Sequence, residues 1–271
     1  MKQALKQNWK VYSMEAICLG LFMISASFFG TVLEYPGSSI RQAMPNDFIR
    51  LALMGLAMGI TATLINYSPM GKLSGAHMNP AITFTFFRLH KIKLMDAIFY
   101  AVFQCVGGIL AIVLMKNLLG KAFSDVHVNY VVTAPGKFGS LPAFALEVVL
   151  AFAMMTMVLT TSNHPKLSRY TGGIAGVFVM IYVILSAPIS GFSLNPARTI
   201  ASAIPAMQYH AFWIYLTAPF IGMFTAAAFY KHAKGAVYCA KMHHSNTYNC
   251  IFNCEYCRHN AIEDTNKDKQ R

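Results

Sequence analysis

The sequence predicts an all-α membrane protein: six transmembrane helices plus two re-entrant half-helices, arranged as an inverted repeat. Three observations predict it. Of 271 residues, 56% are hydrophobic and only 12% charged, with a mean hydropathy of +0.46. A soluble domain carries about twice that charged share, and several apolar runs here reach spanning length. The tripeptide Asn-Pro-Ala occurs twice, at Asn79-Pro80-Ala81 and Asn195-Pro196-Ala197, each time opening a segment too short to cross a bilayer. Finally, the same order recurs in both halves: a span with an early Glu, a second span, the Asn-Pro-Ala segment, a third span. Three full spans per half is odd, so the halves have opposite orientations, which places the functional site near the midplane at the discontinuous helices.

In chain order, span one covers about Tyr12 to Leu33 and is interrupted only by Glu15. A polar loop with Pro36, Gly37 and Pro45 leads to span two, about Phe48 to Tyr67, whose Gly55, Ala57, Gly59 and Ala62 allow close helix packing. Ser68 to Lys72 breaks that helix, and a half-helix follows from Pro80 to about Leu89. Span three, about Leu94 to Leu119, carries Gln104 and Gly107-Gly108. Gly120 to Ser140, with Pro135, Gly136 and Gly139, is long enough to connect the halves. Span four, about Leu141 to Thr161, holds Glu147; span five covers about Tyr170 to Ala187, where Pro188 is expected to end it. The second half-helix runs from Pro196 to about Pro205, and span six from about Tyr209 to Tyr230. The chain therefore divides into an N-terminal segment 1–10, a channel-like region 11–232 with halves at about 11–119 and 141–232, and a tail 233–271.

The net charge of +12 is topological. Sixteen Lys and Arg fall on the side of the termini and five (Arg41, Arg50, Lys116, Lys121 and Lys137) on the other, with Arg198 inside the membrane region. That bias puts both termini in the cytoplasm and excludes a nucleic-acid partner. The first apolar run contains Glu15 and is too long for a cleaved signal peptide. The plasma membrane is the expected site, and the short loops point to a bacterial inner membrane.

The Asn-Pro-Ala units carry the functional argument. Pro suits the first helical position, which makes Asn the N-cap, its side-chain oxygen accepting from the first turn and its NH2 left as a donor. Each half-helix is about half a bilayer core of roughly 30 Å, so two of them entering from opposite faces meet N-terminus to N-terminus. The positive ends of their dipoles disfavour cations, and irregular backbone at that depth lines a water-filled path or lies buried. Asn79 and Asn195 then offer donors to one passing molecule, and an intramembrane Arg such as Arg198 is functional by default.

The two loops, Ser74-Gly75-Ala76-His77-Met78-Asn79-Pro80-Ala81 and Gly191-Phe192-Ser193-Leu194-Asn195-Pro196-Ala197-Arg198, resemble the signatures of the major intrinsic protein family, the aquaporins and glycerol facilitators. Glu15 and Glu147 fit that family's helix glutamates, and the resemblance covers about residues 10–232. It implies an aquaporin-like fold, a homotetramer with a pore in each subunit, and passive flow of water and small neutral solutes without ions or protons, the standard instance of selectivity from pore diameter, lining donors and half-helix dipoles. It further implies an outer constriction of Arg198, Phe192, Val183 and a span-two residue, for which Ala57 and Gly59 are the candidates. Phe192 is typical of the glycerol facilitators, and Val183 stands where water-selective members place His; Thr199, Ala203 and Tyr215 look more like water channels. Carbonyls of Ser74, Gly75, Ala76 and His77, and of Ser190, Gly191, Phe192 and Ser193, are expected along the path, His77 at its cytoplasmic approach, and Glu15 and Glu147 behind the loops. A proton- or ion-coupled transporter built on the same repeat is the rival reading, with a glutamate as relay. No phosphate loop or nucleophile constellation points to an enzyme.

The tail lies outside that resemblance. It gathers Cys239, His243, His244, Cys250, Cys254, Cys257 and His259, ligands suited to zinc or another soft metal, although Cys254 and Cys257 form the only Cys-x-x-Cys. Otherwise no cofactor is expected. Membrane-proximal thiols are also palmitoylation candidates, and Glu263 to Arg271 have a disordered composition.

Overall fold

The computed structural model describes residues 2–234, 237–243 and 250–255. Eight principal helices order the chain: α1 (Lys2–Glu34), α2 (Asp47–Tyr67), α3 (Pro80–Arg88), α4 (Leu94–Leu119), α5 (Ser140–Ser162), α6 (Thr171–Ser190), α7 (Pro196–Ala206) and α8 (Phe212–Lys234). Six of them are long and apolar enough to cross a membrane. The other two, α3 with 9 residues and α7 with 11, are the half-helices; at about 1.5 Å per residue their lengths add up to one bilayer core.

The halves pack as related units. The α1–α4 contact corresponds to the α5–α8 contact, while α2 lies against α6 across the centre. Each half-helix also leans on the last span of the opposite half, α7 on α4 and α3 on α8. Glycines set these distances: a Cβ on Gly107 would come within 2.1 Å of the Ala16 carbonyl, and one on Gly222 within 2.3 Å of the Val148 carbonyl. These are the same contact in the two halves, and small residues let both close.

Two predicted boundaries move. Helix α1 begins at Lys2 rather than near Tyr12, because Lys, Gln, Ala and Leu are good helix formers, and Asn8 there donates to Asp96 at 3.0 Å. Pro188 does not end span five; α6 continues to Ser190 and closes at Gly191, which takes a left-handed φ of 72°. Proline removes one helix bond, but in a packed membrane helix that loss does not stop the turn.

After α8, residues 237–243 and 250–255 fold back against the helix bundle. Val237, Cys239, Ala240, Met242 and Phe252 are buried in one hydrophobic cluster with Tyr12, Ile82, Phe86 and Tyr100. His244, Cys257, His259 and Glu263 to Arg271 lie outside the described residues.

Candidate functional site

The two Asn-Pro-Ala turns meet in the middle of the bundle. Asn79 and Asn195 are extended N-caps followed by Pro, and their Oδ1 atoms accept from Ala81 N at 2.8 Å and from Ala197 N at 3.0 Å. Their amides cross over: Asn79 Nδ2 donates to the Leu194 carbonyl and Asn195 Nδ2 to the Met78 carbonyl, each at 2.7 Å. One N–H of each amide thus joins the halves. An Asn amide has a second, and both residues line the central cavity.

The approach to each Asn is strained in the same way. Ala76 and Met78 have φ of 54° and 48°; Phe192 and Leu194 have 46° and 54°. Left-handed non-glycine residues cost about 1–3 kcal/mol each and persist only where the surroundings over-determine them. A buried carboxylate does so in both loops. Glu15 accepts from Ser74 Oγ at 2.6 Å, His77 N at 3.1 Å and Met78 N at 2.6 Å. Glu147 accepts from Ser190 Oγ at 2.8 Å, Ser193 N at 3.0 Å and Leu194 N at 2.7 Å. Both side chains are fully buried.

Tyrosines finish the brace, Tyr100 donating to the Ser74 carbonyl at 2.7 Å and Tyr215 to the Ser190 carbonyl at 2.5 Å. Each of those carbonyls accepts from a tyrosine, and neither Ser74 nor Ser190 is among the described residues that line the cavity, where both are expected from the sequence. The Gly75 carbonyl is likewise taken, by Met242 N at 3.3 Å, and Ala76 is buried away from the cavity. His77, Gly191, Phe192 and Ser193 do line it.

The cavity, about 210 Å³, runs past both asparagines. Its wall is mostly apolar (Phe22, Met54, Met58, Val179, Val183, Phe192 and Met223), with Arg198 as the one Lys or Arg among the described residues that line it. Arg198 Nη1 is buried and finds no acceptor among the described residues, which leaves a donor for whatever occupies the cavity. Ala57 and Gly59, the sequence candidates from span two, do not line it. Gly59 faces α6, where a Cβ would meet the Gly176 carbonyl at 2.6 Å. The wall from α2 is instead Leu51, Met54, Met58 and Ala62. Because Gly59 sits against Gly176 and Gly55 against Met180 and Ile184, Met54 stands at the level of Val183. Leu51, Met54, Met58 and Ala62 share one helix face by their spacing, but the spacing alone does not say that this face meets the pore.

A tail residue lines one end. Met242 lines the cavity beside His77. His77 Nε2 donates to the Ala240 carbonyl at 2.7 Å, leaving Nδ1 toward the Thr83 hydroxyl at 3.1 Å. Its ring stacks between Phe86 and Phe252, with centroids at 5.2 and 5.5 Å. His77 is thus packed by the tail rather than open to solvent. Of the sulfur and imidazole groups expected to bind metal, Cys239, Cys250 and Cys254 come together, their sulfurs within 4.8 Å of one another. His243 rests edge-on against Tyr67.

The sequence matches the model of the major intrinsic protein family over residues 3–230. It is 32% identical to aquaporin NIP1-1 of Arabidopsis thaliana over 76% of this chain and 71% of that protein. It is also 32% identical to glycerol uptake facilitator protein-like 6 of Lactiplantibacillus plantarum, over 74% of this chain and 93% of that one. The X-ray structure of the aquaglyceroporin from Plasmodium falciparum superposes with a TM-score of 0.68 at 20% identity, covering 83% of this chain and 96% of that one. At that identity the superposition speaks for the fold.

Proposed function

Because the chain belongs to the major intrinsic protein family, we propose that the cavity past Asn79 and Asn195 is the conduit of a passive channel for water and small neutral solutes such as glycerol. One observation carries this reading. Two helix N-termini and their cap amides converge on a cavity whose wall is otherwise apolar, with Arg198 Nη1 free beside them. A file of water or a polyol finds donors there to replace its lost hydrogen bonds. A cation meets two positive dipole ends and a guanidinium, in a medium too apolar to screen them.

The glutamates support the channel over the coupled transporter. A relay needs a carboxyl that meets the path, whereas Glu15 and Glu147 are filled by loop donors and lie outside the cavity lining. The narrow ring is read as Met54, Val183, Phe192 and Arg198. Its three apolar members suit the carbon face of a polyol, while the flexible Met54 makes it tighter than an Ala or Gly would. The exposed apolar faces of the spans, among them Leu64, Leu110, Leu118 and Leu185, meet lipid or neighbouring copies, in keeping with a homotetramer. The charge bias supports a plasma-membrane protein with cytoplasmic termini.

The test is light scattering from liposomes holding the purified protein. Sucrose shock is expected to give shrinkage well above empty liposomes, linear in the gradient and insensitive to membrane potential; a glycerol gradient is expected to give re-swelling. Saturable, potential-driven uptake would overturn the reading in favour of coupled transport.

A further inference from the structure

The tail side of the cavity is met by residues that belong to neither half of the repeat, Met242 among its lining. Polar contacts seat residues 237–243 and 250–255 there besides the His77 and Met242 bonds, and one more joins the two stretches. Tyr238 N donates to Asn163 Oδ1 at 2.7 Å, and Glu255 N to the Tyr238 carbonyl at 2.8 Å. Asn253 donates through its N to the Lys91 carbonyl at 2.9 Å and through Nδ2 to the His90 carbonyl at 2.8 Å. Lys91 Nζ pairs with Glu255 at 3.0 Å. The seat therefore spans the ends of α3 and α5, and Phe252 and Met242 lie beneath it at 6% and 5% exposure.

Cys239, Cys250 and Cys254 stand on either side of the residues that enter the mouth. Cys239 Sγ and Cys250 Sγ are 3.6 Å apart, and all three sulfurs fall within 4.8 Å. Sulfurs bound to one zinc-sized ion at about 2.3 Å stand about 3.7–4.0 Å from each other, so little movement separates this arrangement from a ligand set. Lys241 supplies an independent sign. It is 1% exposed, and its Nζ has no hydrogen-bond partner among the described residues. A buried, unpaired ammonium is expensive; three thiolates around a divalent ion carry one net negative charge, which would offset it.

We propose that Cys239, Cys250 and Cys254 bind a soft divalent cation of the zinc class, and that this ion locks residues 237–243 and 250–255 at the mouth as a plug, so that permeation is gated by metal. The proposal rests on the channel reading above. Without the ion, the plug is held by apolar contacts, hydrogen bonds and one described ion pair, all non-covalent, and it leaves when they open together. With it, Cys239 is tied to Cys250 and Cys254, and Met242 cannot withdraw unless a metal–sulfur bond breaks. If only the seated tail binds, metal at about 100 times its Kd multiplies the ratio of plugged to open channels by about 100.

The experiment uses the full chain in liposomes, kept reduced, with osmotic water flux measured in buffered free zinc and in a strong zinc chelator. Metal is counted on the purified protein, and cadmium is titrated for its thiolate charge-transfer absorption. The expected result is one metal per chain, a cadmium–thiolate band, and water flux several-fold lower in zinc than in chelator. The double variant Cys250→Ser with Cys254→Ser should bind no metal and conduct equally in both media, at the chelator level or above. Met242→Gly should bind metal yet conduct in both, which places the block at the mouth.

Equal wild-type flux in zinc and chelator, well above empty liposomes, overturns the valve while leaving the channel standing. Failure of the wild-type chain to bind stoichiometric metal overturns the site. Closure only on oxidation, with a Cys239–Cys250 disulfide and no metal, replaces the ion by a covalent lock and refutes the proposal. Stoichiometric metal with no flux in any variant or medium upholds the site and sinks the channel reading instead.

Discussion

Replacing Glu147 by Gln tests the inner brace with almost no change in volume. The carboxylate accepts Ser190 Oγ and Ser193 N on one oxygen and Leu194 N on the other. A Gln keeps a single acceptor oxygen. If that oxygen stays with Ser190 and Ser193, its NH2 points at the Leu194 N–H, donor against donor. A buried orphaned N–H costs about 1–3 kcal/mol, and two bonds that fall from charge-assisted to neutral lose roughly 1 kcal/mol each. The sum, about 3–5 kcal/mol, is released against a loop already strained at Phe192 and Leu194. At 1.4 kcal/mol per decade, the conducting loop conformer loses at least about 100-fold in population. The assay pairs water flux per inserted protein with thermal unfolding in detergent. Flux should fall by an order of magnitude or more and the unfolding temperature should drop, both independent of any imposed pH gradient. An E147Q protein with wild-type flux and stability would refute the idea that the carboxylate holds the loop open. Loss of flux only under a proton gradient would restore the relay role.

Met54→Ala should widen the ring at the level of Val183 and raise glycerol flux more than water flux, read as the ratio of re-swelling to shrinkage rates. Arg198→Val removes the one Lys or Arg among the described residues that line the cavity and should let protons or small cations leak, seen with a pH-sensitive dye inside the liposomes. Asn79→Ala removes a cap worth about 1 kcal/mol and the bond to the Leu194 carbonyl, about 1 kcal/mol more; flux and thermal stability should fall together. Gly107→Val puts a Cβ 2.1 Å from the Ala16 carbonyl, so α1 and α4 must separate and the yield of folded protein should collapse. The cavity wall itself is untouched by that change.

The half-helices and their caps were legible because their signal is local: Asn, Pro and the residues that follow fix a helix start without help from the rest of the chain. The glutamates were legible too, since a carboxylate in an apolar span has few structural uses. The α2 wall was misread. Ala57 and Gly59 suit both the ring and a helix contact from sequence; in the structure Gly59 serves the contact with α6 and the lining falls to Met54 and Met58. A helix that is apolar all round gives no stripe to show which face meets the pore, and Gly suits a pore wall and a helix crossing equally. The backbone oxygens were misassigned for a different reason. Which carbonyls are free depends on Tyr100 and Tyr215, whose hydroxyls reach the loops from sequence positions no local pattern connects. The tail was read for its sulfurs and not for Met242 and Phe252, the two apolar residues that seat it.

The departures from the repeat are where the chain acquires something of its own. Position for position, the two loops share the carboxylate, the serine, the tyrosine and the strained backbone, yet their outer sides are braced differently. On the loop before Asn195, the connection between the halves lies alongside: Thr133 meets Thr199 at 2.9 Å, and Gly136 N donates to the Ile189 carbonyl at 2.9 Å. On the loop before Asn79 the same place is taken by the tail, through Ala240, Met242 and Phe252. The connection is tied into the backbone at both ends by α4 and α5, and it contributes no residue to the cavity wall. The tail is held on the bundle through α8 and through contacts of Tyr238, Asn253 and Glu255, and among its described residues Met242 does line the wall. The connection is continuous with a spanning helix on each side, whereas the tail sits on its loop by hydrogen bonds, one described ion pair and apolar contacts; under the metal proposal, the cluster of three thiols on that segment selects between its seated and its withdrawn position.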